Sequence, residues 1–560
     1  MSSGVEIGQE KYVMNHDKDR GPGRPAAVQS LVASRYTAYA ALVLVLVLNC
    51  AIRFHLRNIP LERDEGEYAY AGQLMLQGIP PYKLAYNMKL PGTYVAYTAI
   101  LAIFGQTPAG VHLGLLVVNS VTVLLIFLLA LRLAGLTAAA CAGASYAVLS
   151  VSPTVLGFAG HATHFVVLMA MAGFLFLLKG LDDDGTWLIF GSGVFFGLAF
   201  LMKQPGLLLA IFGALYLVRT ELKNGIGWKV IARKVGVFSG GAALPFVLTC
   251  LWLWRVGVFK TFWFWTVSYA SQYVTNWGLN DGLHLLATTF PAIIGPAVWI
   301  WLIAGVGAAA LMWDHELRPH AFFVLGFLLF SFLAVCPGLF FREHYFILML
   351  PAVAILAGLG VTASVKAIRR RSRIWRFAPA MALVAALGWC FYAQRDFFFK
   401  DDPITISRKI YGGNPFPEAI PIADYIRHNT AGNSTIAVLG SEPEIYFYAH
   451  RHSATGYIYT YGLMEEQKYA LKMQQQMISE IEASRPQVLV WVNVRASWLP
   501  HQHSEGLILS WAEKYVHDHY RLTGVADIHA TATDYRFGDS ASTYQPRSNS
   551  VVFVFMRSTP

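Results

Sequence analysis

Apolar segments of membrane-crossing length recur along this 560-residue chain, and no other feature limits its fold so tightly. A run of ~20 apolar residues crosses the hydrocarbon core, where backbone polar groups must be satisfied inside a helix. By that rule about eleven segments qualify: residues 37–53, 109–131, 136–153, 163–179, 187–202, 205–219, 235–256, 289–312, 320–337, 344–365 and 377–393. With 55% hydrophobic and 14% charged residues, the chain reads as a polytopic α-helical membrane protein carrying one polar domain.

The net charge of +10 does not call for nucleic acid. Much of it sits in an N-terminal stretch and in short loops such as 366–376, where positive-inside bias explains it. Arg132, Lys179, Arg219, Lys223, Lys229, Arg233, Lys234, Arg318 and the Arg369-Arg370-Arg371 cluster all fall on one side if the N-terminus is inside. The five cysteines lie in apolar segments and show neither a disulfide framework nor zinc spacing. Residues 1–35 are polar and are expected to be a disordered cytoplasmic tail, 36–393 the membrane domain, and 394–560 an external α/β domain. Within that last part, helices are expected over 424–428, 442–450 and 511–520, and strands over 434–439, 488–492 and 551–556.

On this topology the external elements are the loop 54–108, the turn 152–164, the junction at Lys203, the loop 257–288, the turn 337–344 and the C-terminal domain. The segment 94–104 could be a twelfth span, but counting it would invert every later loop and put the Arg369-Arg370-Arg371 cluster outside, so it reads as an amphipathic helix at the interface. The first external loop opens with Arg63-Asp64-Glu65-Gly66-Glu67-Tyr68-Ala69-Tyr70. Three carboxylates in four positions beside a bilayer cost free energy unless solvated, paired or in use. Asp64 can cap a helix running to Leu76, with Glu67 completing a capping box. It can equally act as a general base, with Glu65 beside it.

External cations stand where positive-inside bias disfavours them: Lys89, Lys203, Arg255, Lys260 and Arg342. Their clustering implies an anionic partner, and a lipid phosphate at the interface is the natural one. A snorkelling Lys89 and an Arg342–Glu343 pair are the competing accounts. Tyr68, Tyr82, Gln204, His344 and Tyr345 flank these cations and are candidate pocket residues. His161 and His164 are one helical turn apart if both are helical, a spacing that can hold a metal; without an obvious third ligand they read as pocket residues with a hydrogen-bonding or interfacial role, and no cofactor is assigned. The Phe262-Trp263-Phe264-Trp265 run is an aromatic belt or the wall of a sugar or prenyl groove.

Asp64-Glu65-Gly66-Glu67-Tyr68-Ala69-Tyr70, Gly78-Ile79-Pro80-Pro81-Tyr82, Lys89-Leu90-Pro91-Gly92 and Phe104-Gly105 together resemble the first external loop of the GT-C glycosyltransferases, in the branch of the protein O-mannosyltransferases and the lipid A aminoarabinose transferase. The likeness extends more loosely through Phe341-Arg342-Glu343-His344-Tyr345. It implies a GT-C fold and an inverting transfer of sugar from a polyprenyl-phosphate donor to an acceptor outside the cytoplasm, in a bacterial inner membrane. In that family pattern Asp64 matches the catalytic acid of loop one and Lys89 the lysine holding the lipid phosphate. Where many relatives carry a second carboxylate or an Asn/Glu pair in the next loop, this chain has His161 and His164. A lipid transporter or flippase would also want cations facing phosphate, but inverted repeats and broken helices with midplane charges are absent from the sequence.

Overall fold

A computed structural model describes residues 24–273, 278–368 and 373–558. The Arg369-Arg370-Arg371 cluster and the first 23 residues of the expected tail lie outside them. Helix α1 spans Arg24–His55 and so enters the stretch expected to be disordered. Its start, Ala26-Ala27-Val28-Gln29-Ser30-Leu31, is rich in helix formers that the charges upstream obscure.

Among the described residues, eight helices are long and apolar enough to cross a membrane. The two expected spans 109–131 and 136–153 are the two limbs of α4 (Pro108–Leu149), which is broken at Ala134 and Gly135, both with non-helical backbone angles. Gly135 has φ +79° and ψ −169°, a conformation that excludes a Cβ at low cost. Preceding α4 are α2 (Arg63–Leu76) and α3 (Gly92–Phe104), both within the first loop. Following it come α5 (Ala162–Asp182), α6 (Thr186–Met202), α7 (Gly206–Lys223) and α8 (Trp228–Arg255). The later bundle is built from Leu279–Trp313, Arg318–Val335, Leu350–Ala367 and Trp375–Ala393. Leu350–Ala367 is the most enclosed, with 78% of its window buried. Its Gly358 lies on the Ala138 carbonyl of α4, and its Gly360 on the Ile303 carbonyl. Small residues let these backbones approach closely, where apolar burial alone gives no drive between helices in lipid.

The C-terminal region forms a six-stranded sheet ordered β2-β1-β3-β6-β4-β5. Strands β1 (Thr435–Leu439), β2 (His452–Ser453) and β3 (Val488–Asn493) run parallel; β6 (Val551–Arg557), β4 (Tyr520–Ile528) and β5 (Thr533–Phe537) continue antiparallel. Side chains alternate along β1. Ala437 and Leu439 pack with Met473, Met477 and Ile481 of helix Ala470–Ser484, while Ile436 and Val438 join Ile422, Ile426 and Ile445. Both faces are therefore covered, which is why β1 and β3 read as continuous apolar runs.

The second face carries the helices Phe416–Asn429 and Pro443–Ala449, and the latter packs on α2. The first loop thus rests on the external domain. Tyr448 Oη accepts from the Leu61 amide at 2.9 Å, and Tyr70 Oη accepts from the Ser453 amide at 2.7 Å. Arg63 pairs with Glu442 at 2.8 Å. A Cβ on Gly66 would collide with the backbone of Glu444, so the Glu-Gly-Glu sequence is needed for this approach. All five cysteines are free.

Candidate active site

Helix α2 starts at a capping box, but not the one expected. Glu62 is the cap: its carboxylate accepts from the Glu65 amide, and Glu65 accepts from the Glu62 amide. This places Asp64 in the first turn with its carboxylate free of the cap, and sets Glu67 one turn further on, fully buried. Glu67 is no cap; it accepts from Asn87 at 2.8 Å, Tyr94 at 2.5 Å and Lys89 at 2.7 Å. A buried carboxylate needs such partners.

Two hydrogen bonds clip the segment 88–93 onto the end of α6. Thr93 donates to the Met202 carbonyl at 2.8 Å, and Gln204 donates to the Met88 carbonyl at 2.9 Å. They bring Lys89 and Lys203 to one cavity. Tyr97 donates to the Gly160 carbonyl at 2.7 Å, while the Gly160 amide donates to Glu65 at 2.6 Å; the pair fixes His161, the next residue. Arg342 and His344 follow Phe341, a non-glycine residue at φ +43°, a sparsely populated backbone state often found where a site is shaped.

These elements enclose a cavity of ≈ 230 Å³. Asp64, Lys89, Lys203, Arg342, His344 and Tyr459 line its polar part, and Met202, Pro205, Trp265, Ala334 and Pro337 are among its apolar walls. Lys89 lies 2.7 Å from Asp64 Oδ1 and 2.7 Å from Glu67, with its ammonium 4.6 Å from the Tyr68 ring centre. Tyr459 of the external domain donates to the same Asp64 Oδ1 at 3.0 Å. The other oxygen, Oδ2, is 3.9 Å from Nδ1 of His161. The His161 and His344 rings stack 4.1 Å apart at 11°. Lys203 stands 3.8 Å over the Tyr345 ring, and Tyr345 meets His344 edge-on at 4.7 Å.

Burial works against ionisation of Asp64, yet Lys89, His344 and His161 outweigh it and hold the group well below the usual carboxylate range. Burial lowers His161 to about 4 against the pull of Asp64 and Glu65, so this imidazole is neutral near pH 7. His344 is lowered by burial and by His161 and Lys203. Burial, with Lys89 and Arg342 nearby, brings Lys203 down to about 7 although Asp64 opposes the change. Glu62 rises to about 8 through burial and the charges of Asp64 and Glu65. The cavity and its immediate surround bring together a carboxylate, the His344 imidazole with His161 stacked on it, both lowered by burial, and a group of cations of which Lys203 is brought down to about 7.

The expected residues are thus mostly brought together: Asp64, Tyr68, Lys89, Lys203, Gln204, Arg342, His344 and Tyr345 line the cavity. Four are not among its lining residues, and of these His161 is stacked on His344. Glu65 holds the turn at Gly160 and contacts His112 at 3.0 Å, which makes it an anchor of the loop. Tyr82 donates to the Lys89 carbonyl at 2.7 Å and supports that residue from behind. His164 is buried within α5; the partner of His161 is His344, which only the tertiary fold could reveal. With His344, the third ligand that sequence spacing lacked is present: Asp64, His161 and His344 offer ligand atoms all within 4.8 Å of one another. Tyr459, Tyr461 and Glu465 also line the cavity and were not anticipated. The alternating tyrosines at 457, 459 and 461 were the available signal.

Residues 90–254 match the family model described as dolichyl-phosphate-mannose-protein mannosyltransferase, a stretch that starts just after Lys89. No curated protein sequence matches the chain. Among solved structures, ArnT from Cupriavidus metallidurans, solved bound to undecaprenyl phosphate, is similar with a TM-score of 0.56 at 15% identity, over 92% of this chain and 97% of that one. The Archaeoglobus fulgidus oligosaccharyltransferase is similar at TM-score 0.50 and 14% identity, over 88% of this chain and 73% of that one. The chain has the fold of the GT-C glycosyltransferases, and over residues 90–254 it matches their dolichyl-phosphate-mannose-protein mannosyltransferase family.

Proposed function

We propose that this chain is an inverting glycosyltransferase that moves a sugar from a polyprenyl-phosphate donor to an extracytoplasmic acceptor. The observation that carries the reading is the convergence of Lys89, Lys203 and Arg342, from three distant segments, on one cavity with Asp64 and apolar walls. Cations beside an apolar wall suit a phosphate that arrives attached to a hydrocarbon tail. The ArnT structure, with its undecaprenyl phosphate, supports the same ligand class.

In the transfer, the bond from the anomeric carbon to the donor phosphate breaks while a bond to the acceptor oxygen forms on the opposite face. Negative charge grows on the departing phosphate, and fixed cations in a partly dry site stabilise it. Lys203 and Arg342 receive that charge, and Lys89 turns towards it from Asp64. Losing Lys89 makes Asp64 more basic, so the carboxylate accepts the acceptor proton only once donor is in place. The transition state is oxocarbenium-like, as in inverting glycosidases.

The eight long helices, the second limb of α4, and α6 and α7 make up the eleven crossings of the proposed topology. The cavity and sheet domain then face outwards, and Arg132, Lys179, Arg219 and Lys366 face the cytoplasm, as in a bacterial inner membrane. Purified protein in vesicles with radiolabelled polyprenyl-phosphate sugar tests the reading: label should pass to the acceptor in wild type and not in Asp64→Asn. Label that crosses the bilayer without transfer would establish the transporter reading instead.

A further inference from the structure

We infer that Glu444 is a latch worked by a proton: with its proton in place it lets the first external loop sit on the external domain, and on losing the proton it releases that loop. The consequence for Asp64 is a regulation of the proposed transferase site and rests on that reading; the latch itself does not.

Glu444 lies in the first turn of the helix Pro443–Ala449 and is fully buried. That helix packs on α2, and a Cβ on Gly66 would come within 2.7 Å of the Glu444 amide nitrogen and Cβ. Asp64 precedes Gly66 by two positions in the same turn of α2. Tyr448, one turn after Glu444, holds the Leu61 amide at 2.9 Å, and Glu442 holds Arg63. The segment 61–66 is therefore seated by the segment 442–448, with Glu444 at its centre.

Both carboxyl oxygens of Glu444 are buried without a hydrogen-bond partner. The neighbouring buried acids are provided for: Glu442 by Arg63 and Ser497, Glu65 by His112 and the Gly160 amide, and Glu67 by Lys89, Tyr94 and Asn87. Arg63, the cation beside Glu444, already binds Glu442, the Ser441 carbonyl and Asn414. A buried anion with no donor costs far more than a neutral acid with one unmade hydrogen bond. The first turn of a short helix favours a carboxylate only modestly. Glu444 is therefore a carboxylic acid in the seated structure.

The groups around it agree. From α2 and its cap it meets Arg63 and Glu62, and on its own helix Glu442 and Tyr448. The helix Phe416–Asn429 and strand β1 offer Ile422, Ile426, Ile436 and Val438, while the buried acid of that helix, Glu418, is spent on Arg408. Burial, with the charges of Glu442 and Glu62, holds the Glu444 carboxyl well above the usual range against the pull of Arg63. Its anion can be accommodated only by water, and water enters only if the helix Pro443–Ala449 parts from α2.

The sign of the pH dependence follows. An unfolded glutamate ionises in the ordinary range while the folded acid keeps its proton, so the seated state is at full strength below that range and weakens as pH rises through the folded value. Full-length protein in detergent, without donor, can be followed by thermal unfolding and by limited proteolysis of the loop 54–108 from about pH 5 to 9, comparing wild type with Glu444→Gln. Groups common to both, Glu62 and Lys203 among them, cancel in the difference. The variant should gain on wild type by up to tenfold in the unfolding equilibrium per pH unit, and its loop should stay protected at alkaline pH where the wild-type loop is cut. If Glu444→Gln does not fold, Glu444→Met, also unable to ionise, takes its place. A difference that does not change with pH, equal cleavage of both loops, or failure of both neutral variants to fold overturns the latch. The expected difference without sugar transfer in vesicles by either protein at any pH overturns the transferase reading and leaves the latch standing.

Discussion

Tyr459, in the external domain, and Asp64, in the first loop, share a hydrogen bond of 3.0 Å across 395 positions of sequence. The tyrosine therefore belongs to the same small network as Lys89, whose ammonium lies 5.4 Å from the Tyr459 ring centre. Hydrogen bonds to a charged acceptor contribute about 1.5–3 kcal/mol. Removing a donor from a carboxylate raises its pKa. Tyr459→Phe should lower transfer roughly 10-fold or more by that measure, and should move the acidic limb of the pH–rate profile upwards. An unchanged acidic limb would mean that Tyr459 only packs.

Lys89 neutralises two carboxylates at once. Lys89→Met leaves Asp64 and Glu67 facing each other without a counter-ion, and breaking a buried pair in this way costs about 3 kcal/mol. The expected result is a Tm several degrees lower together with loss of transfer, whereas Asp64→Asn should lose transfer at nearly wild-type Tm. Equal destabilisation by both substitutions would contradict the pairing described here.

Lys203 carries a pH dependence with a definite sign. Its folded-state value of about 7 lies below that of an unfolded lysine, so between these values the unfolded chain binds more protons and stability rises with pH. Below pH 7 the charged form is present in the folded protein and its burial opposes folding. Donor binding runs the other way, because a phosphate favours the ammonium. Affinity for polyprenyl phosphate should fall as pH rises from 7 to 9, with proton uptake on binding, measurable by calorimetry in buffers of different ionisation heat. Lys203→Arg should flatten that fall, since guanidinium does not deprotonate in this range.

Gly66→Ala places a methyl group against the Glu444 backbone. Overpacking of this kind costs about 1–3 kcal/mol, and here it falls on the contact between loop and domain. Limited proteolysis should cut the 54–108 loop faster in the variant, with transfer reduced even at temperatures where the bundle stays folded.

The apolar spans, the small external α/β domain and the singling out of Asp64 and Lys89 could be read from sequence because each leaves a local mark: apolar length, runs such as Val488-Leu489-Val490, or charge beside a bilayer; that the two side chains pair with each other came from the fold. What escaped was set by three-dimensional neighbours. Asp64 and Glu67 have capping-box spacing, but so do Glu62 and Glu65, and tertiary partners decided between them. His161 looked towards His164 one turn away, while the fold stacks it on His344. Strand β2 has two residues, too few for any periodicity. Strand β4 mixes Arg521, Thr523, Gly524 and Asp527 among its apolar residues and hides its alternation.

The grip of Glu442, Glu444 and Tyr459 on α2 also sets an order of events during biosynthesis. Residues 63–70 leave the ribosome early, but the groups that seat them are separated from them by nearly 400 positions, and domains fold as they are completed. Until the last strand pairs with β3 and β4, Arg63 has no settled counter-ion and Asp64 lacks its tyrosine. On the proposed function, a chain truncated before β6 should therefore transfer no sugar in vesicles, because the groups that seat Arg63 and Asp64 belong to the sheet domain.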